Sequence, residues 1–435
     1  MRELYLERLA ARQSAGAALR ARERRISVVR LLLIVAAIAL AFWSVLAAIV
    51  PVVAFFVLVV LHERVLRARL RAENGAAFYT RGLARIDGNW AGGGDAGREF
   101  ADDHHPYSGD FDLFGQGSLF ELISIAVTRA GRARLASWLK EPSMDAREIA
   151  ARQESVLELR GNVELREDVT VIAADVTHEI ESAKLDAWGA MPAVTLSRWE
   201  WLAAIALPAA TTILFLLALP AMITRLIGLT HPDAVLRIGW LADVPITPMV
   251  LAMIATIFLA RRLHPRIEPV VMAVERAEPA LALLGGVLER IEREQFHSPR
   301  LVRLHDTIRG SATEEIEKLR KLVALLDARR NQFFAPFAVL LLWTAHVALA
   351  IERWRVRSGA RIGEWIESVG EIEALASLAS FAFEHPDFAM PEIVDRGPLF
   401  DARSLGHPLI PGDRRVTNDI RLDDTRRLLV VSGSN

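Results

Sequence analysis

Apolar and charged positions fall in long separate blocks along this chain. Leu31 to Leu61 is 31 residues without a charge. As one helix it would be about 46 Å long at 1.5 Å per residue, well beyond the ~30 Å hydrocarbon core of a bilayer. Such a helix must tilt strongly, overrun the bilayer or fold back on itself. Charge placement favours a hairpin. Arg20, Arg22, Arg24, Arg25 and Arg30 precede the run, and Arg64, Arg67, Arg69 and Arg71 follow it. Basic residues on both flanks suit two cytoplasmic ends and an even number of crossings. Each crossing is short, and Pro51 is a candidate helix breaker. A signal peptide fits poorly, because the run is too long and a basic segment follows it.

A second pair of blocks repeats the logic. Trp201–Ile223 is 23 uncharged residues, and Val244–Ala260, with 17, sits at the lower limit for a span. Arg261, Arg262 and Arg266 form a basic exit, while Arg225 and Arg237 are balanced by Asp233 and Asp243 in an outer loop. Trp199, Trp201 and Trp240 are expected near the interfaces. The prediction is four crossings with both termini in the cytoplasm. Phe333–Ile351 is a further 19-residue apolar run, ionisable only at His346. By hydropathy alone it would be a fifth span, but Pro336 and His346 suit a buried protein helix, and it is read as one.

The remaining segments read as helical. Ser118-x-x-Glu121 is a capping box opening a helix that Glu141-Pro142 ends. Asp145-x-x-Glu148 opens another, with Ile149, Val156 and Leu159 along one side. Ser311-x-x-Glu314 opens a third, running to about Arg330, with Ile316, Leu319, Leu322 and Leu326 as its apolar stripe. Its Glu314/Lys318 and Glu317/Lys321 pairs have the favourable order. Residues 88–110 read as a linker, with Gly92-Gly-Gly-Asp-Ala-Gly97 flexible. Asp102-Asp-His-His105 carries metal-binding side chains, but neighbours in a loop rarely converge on one ion, so no metal site is predicted. Strand character appears only around Val416–Ile420 and Leu428–Ser432.

Composition adds less. Hydrophobic content of 52% and mean hydropathy of +0.26 are high for a soluble protein, while 24% charge is ordinary for one. That mixture suits charged cytosolic parts joined to membrane segments. A net charge of −1 gives no overall attraction to nucleic acid. With no cysteine, disulfides and thiolate metal sites are excluded. No catalytic triad or carboxylate pair stands out.

The last residues, Leu428-Leu-Val-Val-Ser-Gly-Ser-Asn435, read as an apolar strand running into glycine. A phosphate-binding loop begins in this way, and Gly433, Ser434 and Asn435 would be its first positions. Upstream stand Gly406-His-Pro-Leu-Ile410 and Val416-Thr-Asn-Asp-Ile420. Together these resemble the start of the ATPase domain of the MutS mismatch-repair family. Asp112-Leu-Phe-Gly-Gln-Gly-Ser118-Leu-Phe-Glu121, followed by Thr128-Arg-Ala-Gly131 and Trp138-Leu-Lys-Glu-Pro142, resembles the opening of that family's helical core. Glu371-Ile-Glu-Ala-Leu-Ala-Ser-Leu-Ala-Ser380 is similar to the helix that enters its ATPase domain.

The resemblance implies ATP with Mg²⁺ as cofactors, DNA as a partner, a homodimer in the complete protein, and Val416 and Asn418 beside the nucleotide. The chain departs from the family in lacking the Phe-x-Glu wedge that reads mismatches and the Walker A lysine. The polypeptide is therefore expected to end at the start of Walker A, to bind ATP poorly and not to hydrolyse it. The expected fold is mainly α: transmembrane helical hairpins, a MutS-like helical core or lever, and the first strands of an α/β P-loop domain. The expected divisions are a basic segment with the first hairpin (1–75), a linker (76–110), core (111–198), the second hairpin (199–262), core and lever (263–390) and the start of the ATPase (391–435). The leading reading is a membrane-anchored MutS-like DNA-binding protein of the inner membrane, multi-pass, with core and C-terminus in the cytoplasm. The alternative is a membrane scaffold that keeps the helical core and uses no nucleotide.

Overall fold

The computed structural model describes residues 1–174, 188–189, 193–230, 245–310, 312–331, 334–395, 397 and 399–430, with backbone alone for Val45 and 224–230. The chain is mostly helical and forms two compact units. One comprises residues 1–180, 286–309 and 366–435; the other comprises 181–285 and 310–365.

In the first unit, α1 (Arg2–Ala41) and α2 (Val45–Ile86) form a long antiparallel hairpin. The turn falls at Phe42-Trp43-Ser44, where the N–H groups of Trp43 and Ser44 both donate to the Leu40 carbonyl. The predicted hairpin is present, but Pro51 does not break it. Pro51 lies inside α2, and the bend is fixed instead by pairing of the arms. Arg69 meets Glu23 at 2.6 Å, Arg2 meets Asp87 at 3.2 Å, and the Arg30 guanidinium stands 5.2 Å from the Phe55 ring centre.

Four helices follow: α3 (Leu119–Ile123), α4 (Arg129–Lys140), α5 (Ala146–Gly161) and α6 (Val163–Ala174). The helix expected from Ser118 to Glu141 is thus two. Ser118 does cap α3, accepting from the Glu121 N–H at 3.2 Å. The chain then leaves the helix because side chains of a distant helix satisfy its backbone, and Thr128 caps α4. Asp145 caps α5 as predicted, with Val156 and Leu159 buried.

The second unit carries α7 (Arg198–Thr230) and most of α8 (Thr247–Glu292). Within it Arg266 reaches Glu200 at 3.0 Å, and the buried Thr211 and Thr256 hydroxyls lie 3.1 Å apart. These two contacts pair the helices antiparallel. Trp240 and most of the connecting loop lie outside the described residues. By length and composition, two helices among the described residues could cross a membrane: Leu46–Ile86 and Arg198–Ile223.

After α9 (Pro299–Ile308, in the first unit), α10 (Ala312–Asp327) buries Ile316, Leu319, Val323 and Leu326, with Leu322 half-buried. Lys318 pairs with Glu314 at 2.8 Å and Lys321 with Glu317 at 4.0 Å, as predicted. Ser311 lies outside the described residues. The apolar run at 333–351 is not one helix. It forms α11 (Ala335–Leu340) and α12 (Trp343–Ser358), broken at Leu342, which is buried in the left-handed conformation. Neither piece has the roughly 20 residues of a span.

Helix α13 (Ala360–Glu384) leads toward the two strands, β1 (Phe400–Leu405) and β2 (Asn418–Leu422). They pair antiparallel, with Phe400 opposite Leu422 and a register shift between Ala402 and Leu405. The predicted strand at 416–420 is displaced by two residues into β2, and β1 carried no sequence signal. Residues 428–430 are not in a strand, and 431–435 lie outside the described residues.

Candidate functional site

Three sequence segments, far apart in the chain, meet in the first unit. The first is the loop Asp112–Ser118. Asp112, Gly115 and Gly117 all have positive φ, so the chain reverses tightly there. Glu121 fastens the loop. Its carboxylate accepts from the Gly117 N–H at 2.7 Å, and from the Gly92 and Gly94 N–H groups at 2.8 and 3.0 Å. The capping box is therefore half-used: Glu121 does not reach back to Ser118 but ties down residues 92–94.

The glycine-rich stretch predicted to be a flexible linker is consequently built into the fold. Trp90 is buried, and Asp95 receives an ion pair from Arg132. Asp102-Asp-His-His105 also has structural roles. Asp102 accepts from the His104 N–H, and His105 Nε2 lies 3.1 Å from the Lys140 carbonyl. Among the described residues, no group of three or more His, Asp or Glu side chains could hold a metal ion.

The second meeting is between Thr128–Gly131 and α13. Glu373, fully buried, accepts from the Thr128 hydroxyl and from the Val127 and Thr128 N–H groups, the latter two at 3.3 Å. Burial pushes its carboxyl above the ordinary glutamate range despite these donors. Ser377 accepts from the Ile125 N–H at 3.1 Å. The helices cross without room for side chains. A Cβ on Gly370 would lie 2.7 Å from the Ala130 carbonyl carbon, and one on Gly131 would strike Glu373.

At the end of α13 the same helix meets the hairpin. Arg85 forks onto Glu384 through two 2.6 Å bonds, and the Tyr5 hydroxyl lies 3.3 Å from the same carboxylate. Arg85 and Glu384 are nearly inaccessible. Burial opposes the Arg85 charge, but the Glu384 carboxylate outweighs it and raises the pKa. Beside them, Arg166 donates to Ser380, while Tyr79 and Arg12 both donate to the buried Glu167 at 2.6 Å. Burial, with Glu384 beside it, drives the Tyr5 pKa well up and keeps the phenol protonated.

The third meeting forms a cleft of about 480 Å³. Phe111, Leu113 and Leu119 supply one wall; Leu405 to Leu409, with Val416 and Asn418, supply the other. Arg415 shapes the His-Pro turn by donating to the Ile410 carbonyl at 2.7 Å and the Pro408 carbonyl at 3.3 Å. His407 Nδ1 accepts from the Leu409 N–H at 3.4 Å, a turn-shaping contact. Of the sequence-predicted site residues, Val416 and Asn418 therefore line one cleft. Gly433, Ser434 and Asn435 lie outside the described residues. Sequence reasoning missed Phe111 and Leu113 as cleft residues, because the 112–118 reversal that aims them there depends on the distant Gly92–Gly94.

Residues 105–190 match the family model for MutS domain III. The match covers about a fifth of the chain and includes the Asp112–Glu121 and Thr128–Gly131 segments. It supports MutS-family membership at that level. No solved structure matches the chain.

Proposed function

We propose that this chain is a membrane-anchored MutS-like DNA-binding protein whose nucleotide domain opens at residues 391–435. The observation that carries the reading is the domain III match over residues 105–190, on helices whose buried contacts reach both the apolar hairpin and the segment bearing Val416 and Asn418. The apolar hairpins hold the protein in the inner membrane, with the helical core on the cytoplasmic face. The cleft seats the base of ATP, and Gly433 to Asn435 begin the cradle for its phosphates. Mg²⁺ would come with the nucleotide, and two copies would complete the nucleotide sites.

The buried contacts suggest how motion would travel. A shift of the nucleotide domain acts on the end of α13, and Glu384 passes it through Arg85 and Tyr5 to the hairpin base. The Glu373 contacts pass it to α4. Binding to DNA by this chain is expected to be indifferent to a single mismatch, since residues 1–111 contain no Phe-x-Glu.

The test is the affinity of the detergent-solubilised protein for matched and mismatched duplexes at one fixed salt concentration, because salt alone moves such affinities by orders of magnitude. Binding to both within about tenfold, or ~1.4 kcal/mol, is expected. No binding to either at low salt would favour the nucleotide-independent scaffold.

A further inference from the structure

The α1–α2 hairpin is too short in its shared apolar part to cross a bilayer. Its turn is at Phe42–Ser44, and the arms run side by side from there to Arg2 and Asp87. Arg30 stands level with Phe55. The stretch free of charge on both arms is therefore 31–41 and 45–55, eleven residues each. At 1.5 Å per residue this reaches about 16 Å, roughly half of the ~30 Å hydrocarbon core. Beyond Phe55, α2 continues apolar to Leu61, but its neighbour there is the arginine-bearing part of α1 that includes Arg24, Arg25 and Arg30.

The tip has the wrong chemistry for emergence into water. Phe42 and Trp43 are 90% and 92% exposed, and no charge, glycine or proline sits in the turn. Along the arms Leu31, Leu32, Leu46 and Val50 are likewise exposed, each above 60%. Dragging Arg30 inward to extend the reach would carry a guanidinium toward the bilayer centre, which costs several kcal/mol before snorkelling relieves part of it.

We propose that α1–α2 is a wedge confined to the cytoplasmic leaflet, with Phe42 and Trp43 near the bilayer midplane. Arg24, Arg25 and Arg30 meet the phosphates of that leaflet's lipids. This rests on the membrane reading above and refines it, since the crossings then come from α7 and α8 alone. In those helices the paired apolar arms are longer. With Thr211 beside Thr256, the 14 uncharged helical residues 247–260 precede Arg261, or about 21 Å.

The chain contains no cysteine, so one introduced thiol reports one depth. Ser44→Cys probes the tip and Ser14→Cys the exposed cytoplasmic part of α1. Each full-length variant is treated with a membrane-impermeant maleimide from either face of intact and opened membrane vesicles. The wedge predicts loss of labelling at position 44 from both faces until detergent is added, with position 14 labelled from the cytoplasmic face alone. A nitroxide at position 44 should be reached by dissolved oxygen and not by a water-soluble nickel chelate. Labelling of position 44 from the outer face, in protein that resists alkaline extraction, would overturn the wedge and leave the membrane reading standing. Labelling of both positions from the cytoplasmic face would overturn the wedge by leaving the tip in water, and release of the protein by alkali would remove the membrane reading itself.

Discussion

Glu373 is the residue whose surroundings contradict its chemistry most. It is buried between α4 and α13, it binds three donors, and burial still raises its pKa from the ordinary 4.5. The sign follows from linkage. Its folded pKa lies above the unfolded one, so its contribution to stability is whole below about 4.5 and is lost as pH rises through the folded value. Glu373→Gln keeps the shape and the acceptor oxygen without the charge. The variant is expected to lose less stability than the parent as pH rises through a window above 4.5, as read by thermal unfolding in detergent. Equal losses for both proteins would mean that Glu373 does not titrate in this window. The motif Thr128-Arg-Ala-Gly131 was visible in the sequence, and so was Glu371–Ser380. Their meeting was not, because it depends on two glycines that let helices approach closely across more than 200 residues.

Among the elements, the joint at the hairpin base has the largest predicted energetic effect. Arg85 in α2 and Glu384 in α13 are paired out of water, so removing one leaves the other charged and buried. Arg85→Ala is expected to destabilise the first unit by about 3–5 kcal/mol. Arg85→Met with Glu384→Leu should cost much less, because neither charge then remains unpaired. Urea unfolding of both variants checks this, and equal losses would show that the pair contributes through packing alone. Local signals predicted the elements well where they are local. Asp145 caps α5, and the apolar stripe and i,i+4 pairs of α10 are where periodicity put them. They failed where distant contacts decide. Pro51 looked like the breaker, but α2 runs through it and the turn lies at Phe42–Ser44, set by the pairing of two arms. The run at 333–351 looked like one helix and breaks at Leu342. The 92–97 glycines looked mobile, yet Glu121 pins two of them.

For the molecule as a whole, the proposed function joins a MutS-like core to a membrane. The apolar blocks, their arginine flanks and the core motifs were legible in the sequence; the cleft was legible only as Val416 and Asn418, without its Phe111 and Leu113 wall. The central claim is that one polypeptide holds DNA at a bilayer. It is tested most directly by flotation of reconstituted vesicles with a labelled duplex at one low, fixed salt concentration. Duplex is expected to float with the vesicles when the protein is present, to stay below without it, and to return to the bottom as salt rises. Protein floating with the vesicles while the duplex stays below at low salt would contradict it.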